Sequence, residues 1–561
     1  MHLIHPRRSF TFGALALCAA AAQAAVVGLA VGTVGGIDAA SVMQVSANGI
    51  GHVNLVPYYT VLDGFDTYIN IVNTDTRNGK AVKLRFRTAG NGDTVFDFTL
   101  LLSPGDVWAG ALTKDAATGL PRLVHGDRSC TLPSNVQATF GTARLDPSPM
   151  ANPAALQAGE GYVEILTMAD IPPLTGPVDP PLFNAIRQVA GIAPCTAGAL
   201  NNLATDSASY VDARAKGLEV PTTGLMTRWT LINVGRASAF TGVATALEAR
   251  VSSNGPSGFG NIVLFPQTQA PVPSLALVRT YTADPILRGG VDDNSLVAGQ
   301  NLDGVVPSIA AAFSDLPDLS TPYLPPALAL SMANGVATKA QAQATSKALA
   351  VTTFANEYVV NPDIAARTAW IITLPTRRYN AALSHGPQVA TLRYSNWAAD
   401  DKGSSLASGA ANYFGKLNTL EWYRIPCAEL PFFSAADGRQ LAVFANTEGD
   451  LWSRWTSPFV ISASRPPTLL LCGSAAKTDF VKPPGSTYPP LRVFGPPRLY
   501  SDDSAFERAL GGWARLSTPG LNGLGTPIIG FAAMELFNAA ASAGFAGTYG
   551  QTFPHSMTPA P

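Results

Sequence analysis

The sequence carries little charge. Asp, Glu, Lys and Arg make up 13% of its 561 residues, whereas soluble domains usually hold about 25%. The 37 basic and 38 acidic side chains nearly cancel, which leaves a net charge of −1. A balanced chain has no basic field to hold a nucleic-acid backbone or an anionic bilayer, so we expect neither partner.

Residues that carry chemistry are also scarce. Beyond the N-terminal segment the chain has four histidines, His52, His125, His385 and His555, which stand far apart and form no short ligand spacing. We expect each of them in a loop or at the surface. No nucleophile elbow occurs, because residues 255–259 read GPSGF, and no phosphate-binding loop occurs. The sequence therefore predicts no catalytic residue, no nucleotide and no other cofactor.

Two carboxylates about 5–10 Å apart would be enough for a glycosidase, and a sequence cannot exclude such a pair. The available carboxylates are Glu160, Glu164, Asp400, Asp401, Glu421 and Glu535. Aromatic residues that could stack on sugar rings are Tyr58, Tyr59, Trp397, Trp422, Tyr423, Trp452 and Trp455. A secreted carbohydrate-binding protein or glycosidase is therefore the alternative. We expect most of these carboxylates to face solvent from strands and most of the aromatics to lie in a core.

No spaced calcium-loop motif is present, although calcium needs only oxygen ligands. Acidic turns occur at Asp292-Asp293, Asp400-Asp401 and Asp502-Asp503. We expect solvated turns there, with a structural calcium ion as the open alternative.

Long apolar runs are few. One, at residues 9–22, follows Arg7 and Arg8 and ends at Ala22-Gln23-Ala24, a small-x-small cleavage pattern. We predict a signal peptide over residues 1–24 and export to the cell surface or the extracellular space, with the periplasm as the alternative. An uncleaved anchor is the other interpretation, because no charge appears between Arg8 and Asp38. After cleavage we expect no transmembrane span.

Cysteine is rare, but its number is informative. One of the five cysteines lies in the predicted signal peptide, and the other four are Cys130, Cys195, Cys427 and Cys472. An even number without C-x-x-C spacing in an exported chain favours disulfides over metal ligands. Three pairings are possible, and we favour Cys130 with Cys195 and Cys427 with Cys472, because each closes a loop within one predicted domain.

The chain is rich in strand patterns. Residues 82–87 read VKLRFR, and this alternation predicts a half-buried strand with Lys83, Arg85 and Arg87 in water. Residues 67–72 read TYINIV, and the turn residues 73–79 (NTDTRNG) between the two runs predict a hairpin. The fold class we predict is mainly β: two or more antiparallel, Ig-like β-sandwich domains with a few helices and long Pro/Gly-rich loops.

Proline-rich breaks suggest a division of the mature chain. We predict an N-terminal β-sandwich with the first disulfide at 25–215 and a second β-rich segment at 216–325. An Ala-rich helix follows at 326–352, and a C-terminal β-rich domain with the second disulfide occupies 353–561.

Several segments together resemble a family of exported proteobacterial proteins described as cell-surface or surface-layer-like. They are residues 54–75 (NLVPYYTVLDGFDTYINIVNTD), 80–112, 127–133 (DRSCTLP), 161–166 (GYVEIL) and 369–379 (AWIITLPTRRY). The resemblance implies a secreted surface protein of β-sandwich type and supplies no catalytic residues. With the charge deficit, it leads us to expect a structural or interaction protein that contacts other copies of itself or cell-surface components. Self-assembly into a layer, sheath or filament would follow from that role.

Overall fold

We describe the fold from a computed structural model. It describes residues 26–27, 33–90, 92–134, 136–142, 145, 153–173, 180–204, 210–263, 314–315, 344–377, 381–384, 392–395, 428–436, 439–441, 444–446, 456–457, 468–471, 473–480, 493–494, 498–500, 510–520, 523–542 and 545–561.

The protein is mainly β, with 53% strand and 13% helix. The strands of the N-terminal half are β1 (Val26–Val27), β2 (Thr33–Val34), β3 (Ile37–Asp38), β4 (Val42–Val45), β5 (Ile50–Gly51), β6 (Val53–Thr60), β7 (Phe65–Asn73), β8 (Gly79–Thr88), β9 (Thr94–Leu102), β10 (Val107–Lys114), β11 (Pro121–Val124), β12 (Cys130–Leu132), β13 (Glu160–Ile171), β14 (Leu225–Asn233), β15 (Ser238–Val243), β16 (Thr245–Arg250) and β17 (Ile262–Val263). Four short helices lie among them: α1 (Ala154–Ala158), α2 (Pro181–Ile186), α3 (Ala197–Asn201) and α4 (Tyr210–Ala215).

The C-terminal half also consists mainly of strands. Its strands are β18 (Ser314–Asp315), β19 (Ala350–Val359), β20 (Arg367–Thr373), β21 (Ala381–Ser384), β22 (Leu392–Ser395), β23 (Ala428–Ala436), β24 (Arg439–Leu441), β25 (Phe444–Asn446), β26 (Thr456–Ser457), β27 (Thr468–Leu471), β28 (Ala475–Phe480), β29 (Arg498–Tyr500), β30 (Gly511–Ser517), β31 (Thr526–Pro527), β32 (Ile529–Ser542), β33 (Phe545–Pro554) and β34 (Ser556–Pro559). The short 3₁₀ turns are Asn202–Ala204, Val234–Arg236 and Pro362–Ile364.

Two antiparallel sheets form the N-terminal part. Sheet 1 has the strand order β11-β10-β7-β14-β15, with β5 paired to β14, and sheet 2 has the order β12-β9-β8-β13-β6-β16-β4. Buried side chains of both sheets belong to one core cluster, for example Ile71 and Trp108 from sheet 1 and Leu84 and Phe98 from sheet 2. The period-2 alternation of strands places these residues on the facing sides, where burial of apolar area stabilises the pair of sheets.

The predicted hairpin between residues 67–72 and 82–87 is wrong. The first run lies in β7 of sheet 1, between β10 and β14, and the second lies in β8 of sheet 2, between β9 and β13. The turn residues 73–79 therefore carry the chain from one sheet to the other. Asn73 closes this connection, because its side-chain amide donates to the carbonyl oxygens of Asn78 and Ser103 at 2.9 Å each.

The prediction that Lys83, Arg85 and Arg87 face water is also wrong. Their strand alternates as predicted, but the face of β8 opposite the apolar core is buried as well, and all three side chains are at most 2% exposed. Alternation therefore identified which residues share a face, and the second face is covered rather than solvated.

Two further sheets form the C-terminal part. Sheet 3 has the order β26-β27-β23-β30-β19-β31, with β24 on β23 and β34 on β19, and sheet 4 has the order β25-β29-β28-β20-β32-β33. Sheet 4 is buried on both faces along β20. Ala369 and Ile371 belong to the core of sheets 1 and 2, whereas Trp370 and Ile372 belong to the core shared with sheet 3. The continuous apolar run at 369–372 follows from this middle position.

Side chains of both halves therefore contact each other. The ring of Phe531 on β32 lies 4.6 Å from the ring of Trp229 on β14, and the Thr373 hydroxyl donates to the Pro57 carbonyl oxygen at 2.6 Å. The predicted division at 215/216 also has strands of common sheets on its two sides, because β14 and β16 pair with β7 and β6.

The predicted Ala-rich helix over 326–352 is wrong at its C-terminal end. Residues 344–349 are helical, but β19 begins at Ala350 and pairs with β31 and β34. Its residues 326–343 lie outside the described part of the chain. So do the predicted signal peptide and the alternative anchor, apart from the short described segments at 26–27 and 33–38.

Candidate functional site

The predicted bond between Cys130 and Cys195 is present, with Cα atoms 5.3 Å apart. It ties β12 at the edge of sheet 2 to the loop after α2. Buried residues of α2 and α3, such as Phe183 and Leu200, share an apolar cluster with Cys130. The bond therefore fixes a small helical cap on the outer side of sheet 2. Cys427 and Cys472 lie outside the described residues.

We expect each histidine in a loop or at the surface; His52 and His555 do lie in short connections between strands, but their rings are buried. The His52 ring is buried, with Nε2 3.0 Å from the Gly258 carbonyl oxygen and Nδ1 accepting from the Ala249 N–H at 3.1 Å. Burial, together with the nearby Lys80 cation, lowers the pKa of His52 to about 3. Burial likewise lowers the pKa of His555 to about 4, and its Nε2 lies 3.0 Å from the Ile371 carbonyl oxygen. Both rings are neutral packing residues rather than proton donors at neutral pH.

A buried ionic cluster lies on the face of β8 and β13 away from the apolar core. One carboxylate oxygen of Glu164, Oε2, lies 2.8 Å from Nε of Arg85 and 2.7 Å from Nε of Arg87. All three side chains are buried. Register explains the contact, because Glu164 is the direct cross-strand partner of Arg85.

The other predicted carboxylates that the structure describes are engaged in the same way. Glu160 accepts from the Tyr58 hydroxyl at 2.6 Å and pairs with Lys477 at 2.7 Å, which joins β13 to β28. Glu535 pairs with Arg367 between β32 and β20. The expectation that Glu160, Glu164 and Glu535 face solvent is therefore wrong, and Asp400, Asp401 and Glu421 lie outside the described residues.

Many of the few charged side chains of this protein are thus buried and do not contribute charge to its surface. Among the residues that the structure describes, fourteen charged side chains are buried: Lys80, Lys83, Arg85, Arg87, Asp93, Asp97, Asp106, Glu160, Glu164, Asp170, Arg377, Lys477, Asp479 and Glu535. Ordinary proteins keep such side chains almost entirely outside unless they are paired. The exterior is consequently even poorer in charge than the composition indicates.

Another ionic cluster surrounds Lys80. Its Nζ lies 2.7 Å from Asp170, 3.1 Å from Asp75 and 2.8 Å from the Thr222 hydroxyl. Burial raises the pKa of Asp170 against the opposing effect of Lys80. For Asp75 burial acts in the same direction, but Lys80 and backbone N–H groups outweigh it and lower the pKa.

Asp75, Asp170 and Thr222 of this cluster line the floor of a cleft of about 540 Å³. Its walls come from the β2–β3 hairpin, the 75–78 loop, the end of β13 and the segment after α4, including Pro172, Arg214 and Glu219. The two floor carboxylates are saturated by their own neighbours: Asp75 accepts from Lys80 and three other groups, and Asp170 accepts from Lys80, Thr222 and Asn78. Of the sequence-predicted carboxylates, none that the structure describes lines this cleft.

The outward face of sheet 1 has the opposite character, because it is exposed and almost free of charge. Cross-strand register arranges its side chains in four rows. Row one is Val107, Val72 and Met226; row two is Ala109, Asn70, Arg228 and Val243; row three is Val124, Ala111, Tyr68, Thr230 and Thr241; row four is Arg122, Thr113, Asp66, Ile232 and Ala239. We call this surface the outer face of sheet 1.

Large apolar side chains project from this face. Val107 is 51% exposed, Val243 53% and Tyr68 40%. Sequence reasoning missed the face, although the alternation of residues 67–72 and 227–233 carries its signal. An exposed sheet face with large apolar side chains and few charges is typical of a contact surface.

Three charges interrupt the outer face. Arg122 lies on the edge strand β11 and is 3.8 Å from Asp115. Arg228 and Asp66 lie nearer the middle, on neighbouring strands and two rows apart. Burial raises the pKa of Asp66, because it sits partly enclosed among uncharged neighbours.

The remaining predicted residues have mixed outcomes. Tyr58 and Tyr59 are buried in the core, as expected for aromatics of a β protein. The five other aromatics named above and all three acidic turns lie outside the described residues. Within the described ranges, no group of three His, Cys, Asp or Glu side chains is arranged to hold a metal ion, and no helix has the length and apolar character to cross a membrane.

Comparison with known proteins gives no relative. No family model, no curated protein and no solved structure matches the chain.

Proposed function

We propose that this is an exported structural or interaction protein of the bacterial cell surface, and that it associates with copies of itself. The outer face of sheet 1 carries the proposal. Its exposed apolar and uncharged side chains can approach a second surface without the desolvation cost of many ionic groups. The predicted signal peptide and the resemblance to surface-layer-like proteins support the location, and we extend the proposal to Ig-like sandwich domains.

The burial of charge adds a second line of support. Net charge and charge density are what keep soluble copies apart. This chain starts with few ionic groups and holds at least fourteen of them inside, eight of which belong to the ion pairs described above. Little electrostatic repulsion then opposes close association.

A carbohydrate-active role has weaker support. Glu160 and Glu164 are the candidate glycosidase carboxylates of the N-terminal part. Each forms an ion pair with buried cations, which keeps it from contact with a substrate. A general acid or nucleophile must reach substrate, whereas these carboxylates contact side chains of neighbouring strands inside the protein.

The test is the mass of the purified mature chain in solution as its concentration rises. We expect sedimentation velocity to show reversible association that increases with concentration. The variant Tyr68→Lys places a cation at the centre of the outer face, and we expect at least a tenfold weakening of association.

The matched control is Val211→Lys on α4. It adds the same charge at a side chain that is more exposed than Tyr68. We expect this variant to associate like the parent. A parent that stays monomeric at every concentration, or an equal loss in the two variants, would show that the outer face is not a contact surface.

A further inference from the structure

The two inner charges of the outer face form a self-complementary pair. Arg228 lies in row two on β14, and Asp66 lies in row four on the adjacent strand β7. In the described part of the chain neither side chain forms an ion pair. Leaving one cation and one anion unpaired in the middle of a face with few charges has no evident benefit to the isolated fold.

A second copy of the chain satisfies both charges at once. Consider a twofold axis that lies in the plane of contact, passes between Tyr68 and Thr230 midway between Arg228 and Asp66, and is perpendicular to the line that joins those two residues. Rotation about such an axis stacks two outer faces and exchanges the two positions, so each Arg228 comes opposite Asp66 of the other copy. Twofold contacts are isologous, so the same ion pair forms twice.

We therefore propose that two copies pack through their outer faces of sheet 1 about this axis, held in register by two reciprocal pairs between Arg228 and Asp66. The inference rests on the proposed function, because it specifies the partner and the geometry of that same surface. Tyr68 lies beside the axis, where an exposed aromatic contributes most to a contact.

The area of the face fits a reversible contact. Five strands about 4.8 Å apart and four rows about 7 Å apart cover about 600 Å² per copy. Stable interfaces bury about 800 Å² per partner, and weaker transient ones less. The pair should therefore form and dissociate with concentration rather than behave as a permanent dimer.

Charge reversal tests the register. Arg228→Asp places two carboxylates opposite each other at both ends of the contact, and Asp66→Arg places two guanidinium groups there. We expect each single variant to weaken the dimer at least tenfold in sedimentation velocity. The double variant R228D/D66R regenerates both pairs, and we expect its dissociation constant to return to within about threefold of the parent value.

Mixing the two single variants provides a sharper measurement. In a heterodimer of R228D with D66R, both contacts again join opposite charges, so the mixture should dimerise although neither component does so alone. This outcome cannot arise from misfolded variants. Arg214→Asp, on α4 and away from the outer face, is the matched control because this arginine is also exposed, and it should leave dimerisation within about twofold of the parent.

The possible results separate the two proposals. A monomeric parent overturns both of them. A parent that associates and is blocked by Tyr68→Lys, with no rescue in the double variant or in the mixture, overturns the Arg228–Asp66 register and leaves self-association through the outer face intact.

Discussion

Glu164 shows at the residue scale how charge is accommodated inside this protein. Its carboxylate lies between the guanidinium groups of Arg85 and Arg87, and the three side chains are buried. Taking such groups out of water is costly, and pairing offsets the cost only while every partner is present. The cluster is therefore a site where removal of one charge has a large effect.

We expect Glu164→Gln to lower the free energy of unfolding by about 3–5 kcal/mol, because it leaves two cations buried with reduced compensation. The measurement is urea unfolding at pH 7.5. Glu248→Gln is the matched control, since Glu248 lies on a strand of the same sheet, is partly exposed and faces Arg250 at 3.9 Å. A partly exposed pair contributes about 0–1 kcal/mol. Equal losses in the two variants would contradict the role of the buried cluster.

At the scale of elements, the long strand β13 joins the ionic cluster to the rest of sheet 2. It pairs with β8 on one side and β6 on the other, and the register with β6 shifts between Gly161 and Val163. Gly161 lies against β8 so closely that a Cβ atom there would overlap the Arg87 carbonyl oxygen. The absence of a side chain at Gly161 thus permits the approach of the two strands.

We expect Gly161→Ala to destabilise the protein by about 1–3 kcal/mol, because β8 and β13 must separate to admit the methyl group. Thermal unfolding gives the comparison with Gly126→Ala. Gly126 has open space where its Cβ would lie and no left-handed backbone, so that variant should match the parent or slightly exceed it in stability. A neutral result for Gly161→Ala would mean that the close approach is not required.

Sequence pattern predicted the elements better than their partners. Alternation located β8, and the β-rich run at 67–72 located β7, because side-chain period is a local property. The turn residues 73–79 predicted a change of direction, but whether the chain turns back within a sheet or crosses to the opposite sheet depends on distant strands. The same limit applied to the polar face of β8 and to the outer face of sheet 1, since what covers a face is decided by the tertiary fold.

At the scale of the whole molecule, sheet 4 makes the two halves interdependent. Ile371 and Phe531 complete the N-terminal core, and Trp370 on the same sheet completes the C-terminal one. The two buried histidines lie on either side of this arrangement, His52 in the N-terminal half and His555 against Ile371. Disturbance of either half should therefore reach the other.

Acid should destabilise the molecule in a single step. The pKa values of His52 and His555 are lowered by burial to about 3 and about 4, so the unfolded chain binds more protons than the folded one below pH 6.5. The stability that each neutral buried histidine contributes is fully present above that pH. It is lost as the pH falls through the folded-state pKa values of about 4 and about 3. Between pH 7.5 and 5.0 we expect a loss of about 2 kcal/mol per histidine.

Urea unfolding at the two pH values gives the measurement. His555→Gln should reduce the pH-dependent loss by about half. Separate transitions for the two halves, or a loss that His555→Gln does not reduce, would count against this account.

The place of Phe531 has a consequence for synthesis. Its ring packs on Trp229, and its neighbours on β32 close a core whose first strands are made long before. Until β32 is synthesised, the aromatic side chains of the N-terminal core lack the residues that cover them in the folded protein. A ribosome-bound chain of this kind exposes apolar surface and is prone to aggregate until β32 has been synthesised. We therefore expect its productive folding to depend on chaperones that shield the nascent segment.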